Sequence, residues 1–248
     1  MTLRDHFSGV AADYARYRPD YPAALFDWLA EVAPRREVAW DCACGSGQAT
    51  VPLAEVFASV AATDVSLTQL SNRPPLDNAV FSAAAAEAVP LRDRSVDLVT
   101  VGQALHWFDL EAFFTEVHRV LRPGGVVAVW TYGMPEVDDP EIGTVIRGFI
   151  DDTLGPWWPP EVVHVLDGYA SFELPFADIE PPRLEMEVRW TLRRFLAFVR
   201  TWSGVGRYRE VRGEDPVEEL AAKLRSRWGI PERRRRIRWW LKIRAGGF

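Results

Sequence analysis

The sequence predicts an α/β protein built on a doubly wound, mostly parallel sheet. Three observations lead there. Apolar runs of strand length alternate with amphipathic helical segments through residue 131, the pattern of crossover units that lay helices on both faces of a parallel sheet. A glycine turn, Cys44-Gly45-Ser46-Gly47, follows the first apolar run, where such sheets bind ligands. Two segments near the end alternate apolar and polar residues strictly, as half-buried antiparallel strands at a sheet edge do.

Taken in order, Tyr21 to Ala33 is an amphipathic helix with Pro22 at its start and Pro34 past its end. Val38 to Asp41 is a buried strand, Gln48 to Phe57 a helix, and Val60 to Thr63 a second strand that stops at Asp64. A short helix (Ser66 to Ser71) and strands at Ala79 to Ser82 and Val96 to Val101 follow. Asp109 to Leu121 carries Phe113, Phe114, Val117 and Val120 at helical spacing before Pro123-Gly124-Gly125 stops it. Val126 to Thr131 is a further buried strand. Residues 133–182 break the rhythm with dense proline and glycine and the run Trp157-Trp158-Pro159-Pro160. One helix (Pro140 to Thr153) is expected there, and the stretch reads as a cap inserted into one domain spanning 1–248. In the closing strands, Leu184, Met186, Val188 and Trp190 share one face of the first, and Ile237, Trp239, Leu241 and Ile243 one face of the second. Arg193 to Ser203 and Pro216 to Trp228 are the helices between them.

Composition narrows the classes. Hydrophobic residues at 48% and charged residues at 26% exclude a disordered chain. No apolar stretch approaches the roughly 20 residues of a membrane-spanning helix. The start, Met1-Thr2-Leu3-Arg4-Asp5, has neither a signal core nor a myristoylatable glycine, so a cytoplasmic location is expected. Cys42 and Cys44 are too close for an ordinary disulfide and too few for a zinc site, and the four histidines never fall at ligand spacing. Residues 189–248 carry 17 Lys and Arg against 6 Asp and Glu. Because those basic residues alternate with core positions, they read as solvated helices and strand rather than as a nucleic-acid face. The run Arg233 to Arg236 is expected to be a solvated turn.

The informative block is Asp41-Cys42-Ala43-Cys44-Gly45-Ser46-Gly47-Gln48. Glycines there let the backbone approach a ligand and permit positive φ. A dinucleotide fingerprint would need a third glycine where Thr50 stands. An acidic residue before the loop suits a ligand bearing an amine. Asp64, 17 residues beyond Gly47, can accept both hydroxyls of a ribose. Together the two signals point to a nucleoside-containing cofactor.

The series Tyr14-Ala15-Arg16-Tyr17-Arg18-Pro19, the D-x-A-C-G-S-G-Q loop, Asp64, Ala86-Glu87-Ala88-Val89-Pro90, Gln103-Ala104-Leu105-His106-Trp107-Phe108 and Leu121-Arg122-Pro123-Gly124-Gly125 resembles the class I S-adenosylmethionine-dependent methyltransferases. The closest subgroup looks like small-molecule enzymes related to trans-aconitate methyltransferase. The resemblance implies a seven-stranded Rossmann-like sheet with its last strand antiparallel, and S-adenosylmethionine as cofactor with S-adenosylhomocysteine as product. It also implies roles. Ala43, Gly45, Gly47 and Gln48 would shape the loop around the methionine part, with Asp41 near the ammonium. Asp64 would bind ribose, Val65 would lie against adenine, and Ala86 and Glu87 would flank the ring. Gln103 would contact the methionine end, and Tyr14 and Arg18 would hold its carboxylate. Three positions depart from the pattern: Ala43 replaces a glycine, Ala85 an aspartate, and Trp240 a proline.

Methyl transfer from a sulfonium depends mainly on alignment and exclusion of water. A base is needed only where the acceptor must lose a proton; His106 is the histidine placed either to act as one or to hydrogen-bond the loop backbone and shape the pocket. Trp107, Trp157 and Trp158 are expected to wall a pocket for a small organic acceptor, methylated on oxygen rather than nitrogen. A nicotinamide-dependent oxidoreductase and a non-catalytic cofactor-binding module are the alternatives. The oligomeric state is open.

Overall fold

The computed structural model describes residues 17–248; Tyr14 lies outside them. Helix α1 (Ala23–Val32) buries Leu25, Phe26, Leu29 and Ala30 at helical spacing, which seats it on the sheet. Five strands form the body of that sheet: β1 (Val38–Cys42), β2 (Ser59–Asp64), β3 (Ala79–Ala83), β4 (Val96–Gly102) and β5 (Leu121–Tyr132). They lie parallel in the order β3-β2-β1-β4-β5, so the chain reverses its direction of travel across the sheet between β1 and β4. Helices α2 (Thr50–Val56), α3 (Leu67–Ser71) and α4 (Leu110–Val120) connect them. Ser66 caps α3 and Asp109 caps α4, each side chain accepting a backbone N–H of the first turn.

The remainder comprises β6 (Glu136–Val137), α5 (Pro140–Gly148), α6 (Val162–Leu166), β7 (Ala177–Ile179), β8 (Glu185–Trp190), α7 (Leu192–Val199), α8 (Ser203–Arg212), α9 (Val217–Trp228) and β9 (Arg235–Gly247). Strand β9 runs antiparallel to β5 and is flanked on its far side by β7 and β8, with β6 pairing beside it as well. The expected antiparallel closing strand is therefore present. It lies inside a nine-stranded sheet rather than at the edge, because the short β6 and β7 and the strand β8 all pair with it.

The strand period of two divides the core into two layers. Leu98, Ala128, Trp130, Tyr132 and the inward β9 residues Ile237, Trp239 and Leu241 pack with α1, α7 and α9. Val99, Val101, Val127 and Val129 face α4 on the other side. Residues 133–182 straddle both layers: Ile142, Ile146 and Phe149 join the first and Tyr169 and Leu174 the second.

Three expectations need correction. The helix from Pro140 stays regular only to Gly148 and then widens into a π-turn over Phe149–Thr153. The helix expected over Arg193 to Ser203 breaks at Arg200–Trp202, and α8 follows; its sequence hid it, since only Gly204 and Val205 are buried. Gly204 lets the two segments approach closely, since a Cβ there would stand 3.1 Å from the Trp158 ring and press on it. Arg235, expected in a solvated turn, is buried. Its guanidinium donates to the carbonyls of Trp228 and Arg227 at 3.2 and 2.9 Å and pairs with Asp139 at 3.0 Å.

One buried carboxylate ties the sheet to its turns. Asp97 on β4 accepts the N–H groups of Glu37 and Val38 at 3.1 and 2.9 Å, and Arg122 at 2.8 Å. Removing one partner of such a pair leaves the other groups unsatisfied and costs about 3–5 kcal/mol. Asp97→Ala should therefore lower the thermal midpoint by about 10 °C, read by calorimetry, at the usual ~2–4 °C per kcal/mol for a chain of this size. A drop below ~2 °C would contradict this account.

Candidate active site

The reversal between β1 and β4 leaves a crevice at the carboxyl ends of β1, β2 and β4, the place where open parallel sheets bind ligands. The loop after β1 forms its floor. Ala43, Gly45 and Gly47 have φ of 54°, 56° and 93°. Asp64, at the tip of β2, holds the loop: Oδ2 accepts the Gly45 N–H and Oδ1 the Ser66 N–H, both at 2.8 Å. The Cys44 N–H adds a bond to the Thr63 carbonyl at 2.9 Å. A Cβ on Gly45 would meet nothing closer than 3.9 Å, so this face of the loop stands open to the cleft. Gly47 is different: a Cβ there would press on Pro74 at 3.3 Å and Phe81 at 3.4 Å. It serves loop packing and does not line the cleft.

Asp41, Ala43, Gly45, Gln48, Asp64, Val65 and Gln103 all line this first cleft. It holds about 940 Å³ of space between protein atoms, part of it open to solvent. Tyr21, Gln69, Trp107 and Phe108 complete it. Of these, Phe108 ends a motif already singled out, but nothing in the sequence separated its role from that of Trp107. Gln48 is tethered by its side-chain N–H to the Pro19 carbonyl. The Gln103 side chain donates to the Tyr132 carbonyl at 3.0 Å and accepts from Thr131 at 2.7 Å, and its backbone sits at φ 58°. Gly102 leaves room for close packing, because a Cβ would stand 3.0 Å from the Tyr21 hydroxyl and 3.1 Å from Trp130.

Asp41 is buried beneath the loop, accepting from Thr50 at 2.6 Å and Thr100 at 3.2 Å. Burial pushes its carboxyl up to about 7, against the two hydroxyl bonds that favour the charged form; Asp64 adds repulsion. A carboxyl poised at neutrality, with Asp64 nearby, suits a cationic ligand group.

A second cleft adjoins the first and shares Gln103 and Trp107 with it. His106, Tyr132, Met134, Trp158, Phe198 and Trp202 contribute to its walls. His106 Nδ1 lies 3.0 Å from the Tyr169 hydroxyl, and burial, helped by the charge of His164, pushes the imidazole down to about 3. Trp158 donates to the Ile150 carbonyl at 3.3 Å.

Several expected positions fall elsewhere. Arg18 lines the second cleft, not the first: it donates to the Tyr132 hydroxyl at 3.2 Å and the Thr201 carbonyl at 3.4 Å, with its guanidinium 5.4 Å over Phe198. Ala86 is buried in the layer beneath α4, and Glu87 accepts the Asp109 N–H at 3.0 Å, so neither lines the cleft. Trp157 lines neither cleft; its ring meets Tyr208 edge-on at 5.2 Å with Arg212 stacked at 5.8 Å.

Two measurements check these assignments. Alanine in the left-handed region is strained by about 1–2 kcal/mol, so Ala43→Gly should raise the thermal midpoint by about 2–4 °C; no increase would remove the strain argument. For Asp41, the folded state binds the proton more tightly than the unfolded chain. Its contribution is thus fully present below the ordinary value of 3.8 and is lost as pH rises to about 7. Asp41→Asn should match the wild type in urea midpoint near pH 4 and exceed it at pH 8 by on the order of 3 kcal/mol. Equal midpoints at pH 8 would mean that the carboxyl is not buried uncharged.

Comparison with known proteins agrees with this arrangement. A family profile described as "Methyltransferase domain" matches residues 40–129. A Dictyostelium discoideum protein described as a "putative methyltransferase" is 30% identical over 223 residues, covering 89% of this chain and 85% of that protein. A Saccharomyces cerevisiae protein described as an S-adenosylmethionine-dependent methyltransferase is 30% identical over 228 residues, 78% of each chain. Among solved structures, a protein from Anaeromyxobacter dehalogenans described as a "putative Type II methyltransferase" is 46% identical, covers 93% of this chain and 98% of its own, and superposes with a TM-score of 0.86. This relatedness sets aside the nicotinamide-dependent and non-catalytic alternatives. The open glycine face, the carboxyl poised beneath it and the second cleft beside it fit the cofactor these relatives imply: the chain belongs to the class I S-adenosylmethionine-dependent methyltransferases.

Proposed function

We propose that the enzyme methylates an oxygen, and less readily a nitrogen, of a small and largely apolar organic molecule held in the second cleft. The observation that carries this reading is the shared wall: Gln103 and Trp107 border both clefts, so an acceptor in one lies beside a cofactor in the other. In the first cleft, Asp64 would hold the ribose, Val65 and Phe108 the adenine side, Ala43, Gly45 and Gln48 the methionine part, and Asp41 its ammonium. When bound, S-adenosylmethionine supplies an electrophilic methyl group that needs only a correctly aligned nucleophile. The chain's own task is then orientation and exclusion of water.

The lining of the second cleft supports an apolar acceptor, since Trp107, Met134, Trp158, Val162, Val165, Phe198 and Trp202 provide most of its wall. Within the cap of residues 133–182, Trp158 keeps the substrate-contacting role. His106 is the base candidate. Its buried imidazole is neutral at physiological pH and weakly basic, so it assists acceptors that lose a proton readily, while a carboxylate acceptor needs no base. No helix among the described residues is long and apolar enough to cross a membrane. We read the site as acting on dissolved small molecules in the cytoplasm, without nucleic acid. In support, much of the basic C-terminal quarter is paired: Arg200 and Arg209 with Asp215, Arg236 with Glu187, and Arg238 with Glu136 and Glu185.

Isothermal titration with S-adenosylhomocysteine should show one site, and Asp64→Ala should weaken it at least tenfold by removing a charged hydrogen-bond acceptor worth about 1.5–3 kcal/mol. Incubation with labelled S-adenosylmethionine and a panel of aromatic carboxylic acids, phenols and amines should label the oxygen acceptors first. Labelling confined to amines or to nucleic acid would overturn the substrate assignment.

A further inference from the structure

We propose that Gln69 is a cofactor-binding residue whose side-chain amide, with the Asp64 carboxylate, reads the two ribose hydroxyls of the adenosyl group. The proposal rests on the reading of the first cleft as the adenosyl site and adds a residue that no sequence motif marked. Gln69 lies on α3, is only 4% exposed and lines the cleft. Its backbone N–H is satisfied by the Ser66 hydroxyl at 3.3 Å. Its side-chain oxygen, by contrast, is buried with no hydrogen-bond partner. Buried amides are nearly always paired, and leaving one unpaired is destabilising. A methionine or leucine would fill the same space without that cost, so packing alone does not account for an amide here.

Position and chemistry identify what would pair with it. Gln69 Oε1 lies 3.9 Å from the place a Cβ would take on Gly45, the same residue whose N–H is bound by Asp64 at 2.8 Å. The two side chains thus bracket the open face of the loop. A carboxylate can only accept hydrogen bonds. A hydroxyl that gives its proton to Asp64 still has lone pairs to satisfy, and only a donor can meet them. The amide nitrogen of Gln69 is such a donor, and the amide oxygen can accept from the neighbouring hydroxyl. An amide beside a carboxylate therefore matches a vicinal diol better than two carboxylates would, and without adding charge next to Asp41 and Asp64.

The test uses S-adenosylhomocysteine and its 2′,3′-dideoxy analogue on the purified protein, by isothermal titration, with the thermal midpoint of the ligand-free protein as a second readout. Gln69→Met should bind S-adenosylhomocysteine about tenfold more weakly than the wild type. It should bind the dideoxy analogue within twofold of the wild type, because the lost contact is to the hydroxyls. The ligand-free variant should melt about 3 °C higher, since an unpaired buried amide has been removed. Unchanged affinity for S-adenosylhomocysteine, an equal loss toward both ligands, or a variant that melts lower or fails to fold would each overturn the proposal. Failure of the wild type to bind S-adenosylhomocysteine would overturn the functional reading together with it; a binding wild type with an unaffected variant would overturn this proposal alone.

Discussion

The Asp64 carboxylate organises the loop that floors the first cleft. Each oxygen takes one backbone N–H, Gly45 from the loop after β1 and Ser66 from the start of α3, so a single side chain joins two strand ends and a helix. Bonds to a charged acceptor are stronger than neutral ones, and here they hold a loop whose residues at 43, 45 and 47 all lie at positive φ. A loop with that backbone would not persist on local preferences alone. The same carboxylate also lines the first cleft, so one group both shapes the loop and borders the space beside it.

The second cleft is built by a different logic. Its walls come from β5, residues 133–182 and the α7–α8 corner, elements far apart in sequence and joined by packing. Gly204 lets α8 close on Trp158, and Arg18 reaches across to Tyr132 and Thr201. His106 is held from the insertion through Tyr169, itself at φ 61° and fully buried. Arg244 on β9 donates to the carbonyls of Tyr169 and Phe172, so this internal strand also steadies the segment that contacts His106.

Burial sets the chemistry at both ends. It raises the Asp41 carboxyl to about 7 and lowers the His106 imidazole to about 3, in each case by penalising the charged form. The first group is ready to lose its proton when a cation arrives. The second stays neutral and offers a hydrogen-bonding ring rather than a strong base. An enzyme that moves a methyl group from an already activated donor has little need of a strong base, and these two groups are consistent with that economy.

Local sequence determined the order of strands and helices, the loop at Asp41 to Gln48, the carboxylate at Asp64 and the alternation of the last strand, because each depends on residues near one another in the chain. Periodicity decides which face is apolar, and glycine decides where the backbone can turn. Only the tertiary structure decided that Gly47 packs on Phe81 instead of facing a ligand, that Arg18 belongs to the second cleft, that Ala86, Glu87 and Trp157 lie away from both clefts, and that Arg235 is buried. It also revealed Gln69, whose meaning lies in a missing partner. Those outcomes depend on what sits opposite a side chain across space, which is set by packing between segments such as Arg18 and Thr201, 183 residues apart, and leaves no periodic mark on the chain.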